Sequence, residues 1–107
     1  MRKYERMKEF KKNVKLCKKR GWDMDELKRL MGQIIAGNPP LPRSADEHPL
    51  ISNWAGRIEC KLKGDQLLVY RIVDEDGNNI PFAEIYQDLD KQTVIFEAMG
   101  THSDLFK

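Results

Sequence analysis

Two histidines stand outside any apolar stripe in this chain: His48 in a proline-containing loop, and His102 in Gly100-Thr101-His102-Ser103-Asp104-Leu105-Phe106. Imidazole titrates near neutrality and is the commonest general acid or base, so two such residues in non-core positions are candidates for proton transfer. Between them Arg57, Glu59 and Lys61 alternate with Ile58, Cys60 and Leu62, and Asp65 follows at Gly64-Asp65. Alternate residues of a strand lie roughly 6.6–6.8 Å apart on one face, so this reading puts Arg57, Glu59 and Lys61 on a wet side within about 14 Å. Cations flanked by carboxylates suit in-line phosphoryl chemistry: the cations stabilise charge developing on the phosphoryl oxygens, and a carboxylate or imidazole moves protons. The same row without the histidines reads as ordinary exposed ion pairs on a sheet.

Several other chemistries lack their residues. There is no Gly-rich phosphate loop, no Gly-x-Ser-x-Gly elbow and no clustered Cys or His of metal-ligand spacing. Cys17 and Cys60 are too few for a disulfide framework, and the alternation turns Cys60 away from the charged face. No metal or other cofactor is therefore expected. Trp54 and Phe106 are aromatics outside the periodic segments; either could stack on an unpaired base, though Trp54 reads better as a plug where the loop enters the core.

The elements that must position these residues are readable from periodicity. Met7, Phe10, Val14 and Cys17 recur at helical spacing among lysines, giving one amphipathic helix over 7–19 that ends at Gly21. Asp23 with Glu26 has the form of a capping box opening a second helix to about Ala36, whose stripe is Leu27, Leu30, Met31, Ile34 and Ile35, with Gly37 as the stop. Residues 38–56 carry four prolines and no period, and read as an ordered loop. After the alternating strand, Leu67–Val73 is an apolar run suited to a central strand, and Thr93–Ala98 a second run that can pair with it. Phe82, Ile85, Tyr86 and Leu89 after Pro81 fit a short helix or an extra hairpin strand, with the helix preferred. The order (β)ααβββ makes an α+β fold, two N-terminal helices packed on a small twisted antiparallel sheet, in a single domain spanning 1–107.

Charge is divided unevenly: residues 1–37 hold 12 Lys or Arg against 5 Asp or Glu, and residues 38–107 hold 7 against 12. A basic helical half can track phosphates or an acidic partner, or simply be a solvated face. No apolar run approaches the roughly 20 residues of a membrane span, and no signal-peptide core follows the first charges, so a soluble, cytoplasmic protein is expected.

His48-Pro49-Leu50, Trp54-Ala55-Gly56, Asp65-Gln66-Leu67-Leu68-Val69-Tyr70 and the closing Gly-Thr-His-Ser-Asp-Leu-Phe resemble, in order and approximate spacing, the YafQ branch of the RelE toxin superfamily. The resemblance implies a RelE-like, microbial ribonuclease-like fold and a ribosome-dependent endoribonuclease that cuts mRNA in the decoding site. It implies a cognate antitoxin as partner, with operator DNA reached only through the antitoxin complex, and no membrane. It also implies cleavage by the RNA 2′-hydroxyl without a metal. His48 and His102 match the catalytic histidines, Asp65 the carboxylate after the strand, Glu59 an acidic strand residue and Phe106 the C-terminal aromatic near the substrate base. On this reading His102 is the general acid, with His48 or Glu59 as base or orienting group. Three departures stand out: Lys61 replaces a usual third histidine, Ile58 replaces a familiar arginine with Arg57 beside it as a substrate-binding substitute, and 76–91 is longer than a hairpin. The first two leave open a catalytically weakened member that binds antitoxin, ribosome or operator complex.

Overall fold

The computed structural model describes residues 1–106. Strand β1 (Lys3–Arg6) leads into helix α1 (Lys8–Lys19) and helix α2 (Met24–Ala36). A two-residue strand β2 (His48–Pro49) follows, then β3 (Ile58–Lys63), β4 (Gln66–Val73), β5 (Thr93–Gly100) and a terminal turn of helix α3 (His102–Leu105). The sheet order is β1-β5-β4-β3-β2. The strands β3 to β5 pair antiparallel as expected; β2, within the segment read as a loop, adds a short antiparallel pairing to β3, and β1 joins the free edge of β5 in parallel, so the sheet is mixed.

One sheet face carries the helices. Ile58, Cys60, Leu68, Tyr70, Ile72, Val94 and Phe96 alternate onto it and bury against Phe10 and Cys17 of α1 and Leu27, Leu30 and Ile34 of α2. Of the helical stripes anticipated from spacing, Phe10, Cys17, Leu27, Leu30 and Ile34 are buried and Val14, Met31 and Ile35 are half-buried against them, whereas Met7 sits outside α1 as its N-cap and is exposed. Phe10 lies 5.6 Å from Phe96 between ring centroids, and removing one such side chain from water contributes about 1.5–3 kcal/mol. Gly37 adopts the left-handed conformation (φ 69°) that ends α2. At the start of α2 the Asp23 side chain accepts from the Asp25 and Glu26 amides at 3.0 and 3.1 Å. The reciprocal half of the expected box is missing, because Glu26 instead pairs with Arg29 at 2.6 Å.

The 76–91 segment forms neither an α-helix nor a hairpin strand but two 3-10 turns, Phe82–Glu84 and Leu89–Lys91. Asp88, in the left-handed region at φ 52°, breaks any continuation between them. Ile85 is nonetheless fully buried, and Ile80, Phe82 and Tyr86 pack on the core, so the segment is a cover over one end of the sheet. Buried Arg2 fastens it: Nε donates to Gln92 Oε1 at 2.8 Å, Nη1 to the Ile34 carbonyl at 2.6 Å, and Nη2 to the Ile85 carbonyl. A cation at the last turn of α2 meets carbonyls that the helix leaves unpaired.

Candidate active site

The face opposite the helices receives the odd-numbered residues of β3 and β4. In register, His48 stands opposite Glu59, Glu59 opposite Val69, and Lys61 opposite Leu67, which pairs on its other side with Gly100. His48, Glu59 and Lys61 are thereby placed on one surface, with Asp65 and His102 at the end where the β3–β4 turn meets α3.

His48 is fixed through Nδ1, which lies 2.6 Å from the Asp46 carbonyl oxygen. A carbonyl only accepts, so Nδ1 carries the proton and the neutral ring offers its lone pair at Nε2. That Nε2 faces Glu59 Oε1 at 3.5 Å. Glu59 departs from expectation: it is 4% exposed rather than wet, because β2 and its loop fold back over this part of β3.

His102 is held in the same sense by a different partner. Its Nδ1 and its backbone N–H both meet Asp65 Oδ1, the latter at 3.2 Å. These two hydrogen bonds hold the Asp65 carboxyl below its ordinary range, the ring contact being the larger cause. The ionised carboxylate accepts from Nδ1, leaving Nε2 directed outward. The backbone that carries His102 is set by α3, where Thr101 and Asp104 form a reciprocal capping box and Arg20 binds Asp104 at 2.7 Å. These contacts keep the Asp104 carboxyl well below the usual carboxylate range, with Arg20 the leading cause.

Lys61 is exposed and, among the described residues, has no ion-pair partner, so its ammonium is available on the strand between the two imidazoles. Arg57 is not free in that way. Its Nε donates to Glu97 Oε1 at 2.6 Å, and Arg71 Nε donates to the other oxygen of the same carboxylate. Phe106 lies 5.9 Å from His102 and 5.1 Å from Trp54 between ring centroids. Trp54 is thus no core plug: it ends a 3-10 turn, half-buried, with its ring edge-on to Phe106 and the Arg57 guanidinium 5.5 Å from its centroid. Cys60 is fully buried on the helix side, and burial pushes its thiol far up, which fits its exclusion from chemistry.

Three residues of this neighbourhood escaped the sequence reading. Arg71 and Glu97 interrupt the two apolar β runs, and a charged residue inside such a run is the signal that its other face is not core. Glu47, next to His48, accepts hydrogen bonds from the hydroxyls of Tyr70 and Tyr86. A buried tyrosine needs a partner for its hydroxyl, and here both choose the carboxylate that precedes the loop histidine. Among the described residues no group of three His, Cys, Asp or Glu could hold a metal ion.

Two anchored imidazoles, an exposed ammonium and an aromatic pair on an α+β scaffold of this size are the parts that acid–base phosphoryl chemistry would use, and comparison with known proteins gives the class of small bacterial toxins. The chain matches the YafQ family, bacterial toxins of type II toxin–antitoxin systems, over residues 2–107. It belongs to that family. The mRNA interferase toxin YafQ of Escherichia coli strain B/BL21-DE3 is 35% identical over 98 residues, 92% of this chain and 88% of the relative. The crystal structure of YafQ from E. coli strain BL21(DE3) superposes with a TM-score of 0.77 at 33% identity, covering 100% of both chains. The toxin of the E. coli DinJ–YafQ toxin–antitoxin complex gives 0.74 at 32% identity, over 99% of this chain and 98% of that one.

Proposed function

We propose that the chain is the toxin of a toxin–antitoxin pair, an endoribonuclease that cleaves ribosome-bound mRNA in the cytoplasm and is restrained by an antitoxin protein, with operator DNA bound only through that complex. The observation that supports this reading is the pair of imidazoles, each fastened at Nδ1, with Lys61 in register between them on the strand that joins them. His48 Nε2, backed by Glu59, takes the proton of the 2′-hydroxyl. The resulting alkoxide attacks the adjacent phosphorus, Lys61 stabilises the negative charge on the phosphoryl oxygens, and His102 Nε2–H protonates the departing 5′-oxygen while Asp65 steadies the ring. Phe106, beside His102, receives the base. Residues 1–107 act as a single domain.

The test is incubation of the purified protein with programmed ribosomes and mapping of new 5′ ends. Wild type is expected to cut; His102→Ala is expected to lose about 10²–10⁴-fold in rate, the usual worth of a positioned general acid. Cleavage by His102→Ala at the wild-type rate refutes the assignment. Lys61, which cannot readily shuttle protons at neutral pH, favours a second reading, a weakened nuclease whose main role is binding. Wild-type protein that occupies ribosomes or antitoxin without cutting mRNA would select it.

A further inference from the structure

Arg71 and Glu97 have no part in the acid–base chemistry, and Trp54 no part in the core, yet they are joined to the site by unbroken contact. From His102 the line runs to Phe106 (5.9 Å between ring centroids) and to Trp54 (5.1 Å). It continues to the Arg57 guanidinium (5.5 Å from the Trp54 centroid), through Glu97 at 2.6 Å, and ends at Arg71. Arg71 lies four residues along β4 from Leu67, the partner of Lys61, so the two cations are separated by about 13 Å of strand on the same face. The ion pair with Glu97, three residues before the Gly100 that lies level with Leu67, holds the Arg71 guanidinium at its own end of the face.

The ion triad is built to present cations rather than to neutralise them. Glu97 is 8% exposed, whereas the Arg57 and Arg71 side chains are 33% and 30% exposed. Both arginines give only Nε to the carboxylate; among the described residues their terminal nitrogens make no hydrogen bond, so two planar donor sets are oriented by one buried anion and left facing outward. Two guanidiniums on one carboxylate leave a positive balance. Aromatic rings adjoining oriented guanidiniums are what single-stranded nucleic acid binds: bases stack on the rings and phosphates take the cations.

We infer that Trp54, Arg57 and Arg71, with Glu97 as the positioning residue, form a second RNA subsite: a base flanking the cleavage point stacks at Trp54 and Phe106, and a neighbouring phosphate of the same strand sits on the outward guanidinium edges of Arg57 and Arg71. This rests on the RNA-directed reading above but concerns a different phosphate from the one cleaved.

The experiment uses a single-stranded RNA oligonucleotide made uncleavable by 2′-deoxy substitution, with one methylphosphonate linkage moved along it to delete one charge at a time. Wild-type protein is expected to lose about tenfold in affinity when the neutral linkage falls at one flanking position, and Arg71→Gln to bind the fully charged strand about tenfold more weakly with no further loss at that position. The slope of log affinity against log salt should fall by about 0.7 in Arg71→Gln and stay unchanged in Arg71→Lys, as for one phosphate contact on a single strand. A merely structural arginine would move neither the position dependence nor the slope. If no flanking position is sensitive in wild type, or if wild type fails to bind the strand at low salt, the subsite does not exist, whatever the folding of the variants. A chain that cuts mRNA on ribosomes but shows no sensitive position refutes the subsite alone; one that shows the position but cuts nothing refutes the nuclease reading alone.

Discussion

Replacing Glu47 should cost this fold more than any contact visible from the sequence suggests. Its carboxylate accepts from the hydroxyls of Tyr70, on the central strand and fully buried, and Tyr86, on the 76–91 cover. One carboxylate thus joins the His48 loop, the sheet and the cover, and burial together with this carboxylate pushes both phenols up in pKa. Glu47→Ala removes two hydrogen bonds to a charged group and strands the Tyr70 hydroxyl in the interior; at about 1.5–3 kcal/mol for each bond the loss is about 3–6 kcal/mol. For a domain of this length 1 kcal/mol moves the midpoint by about 4–8 °C, so a fall of roughly 12 °C or more is expected by calorimetry, with a matching change in the urea midpoint. Glu47→Gln keeps an acceptor for one hydroxyl and should lose about half as much. The decisive variant is Glu47→Leu combined with Tyr70→Phe and Tyr86→Phe. Because the penalty lies in stranded donors, removing donors and acceptor together should recover most of the stability. A Glu47→Ala protein within about 1 kcal/mol of wild type, or a triple variant no better than the single one, would refute the reasoning.

Two more outcomes follow from the site. Lys61→Ala should lower mRNA cleavage on ribosomes by about 10²–10³-fold with binding nearly unchanged, as for loss of one group that stabilises transition-state charge, while Lys61→His should restore part of the rate and add an ionisation to the pH–rate profile. Asp65, whose carboxyl is held down by the His102 ring and amide, favours the folded state above the ordinary carboxylate range and stops doing so as pH falls through its lowered folded value. NMR titration should find it low in wild type and returned towards ordinary aspartate in His102→Ala; an ordinary Asp65 in wild type would contradict the contact.

The parts of this structure legible in the sequence are those fixed by local periodicity. Phe10 and Cys17, and Leu27, Leu30 and Ile34, declare their helices by spacing alone, and Leu67–Val73 declares the central strand by composition. Glu59 was misread because alternation gives the face of a residue but not what later covers that face, and a loop 11 residues earlier supplies the cover through the His48–Glu59 pairing. Trp54 was misread for the complementary reason: an aromatic outside a stripe is as well housed against a terminal Phe106 as in the core, and that partner is 52 positions away in the chain. The β1 strand has four exposed residues and therefore no alternation to betray it. Both imidazoles were found by residue type; their tautomers and the Glu47 anchor depend on backbone carbonyls and hydroxyls that no spacing encodes.

The parallel docking of β1 on β5 sets Lys3 beside Thr93, closing a loop of nearly the whole chain. Pairings between such distant residues order the most backbone before any contact rewards it, which makes them late and slow steps of folding. β5 also hands the chain directly to His102, so the strand that closes the sheet is the one that carries a residue of the candidate site. On the proposed roles, a chain in which β5 is not yet paired has His48 and Lys61 placed on their strands but lacks His102 beside them.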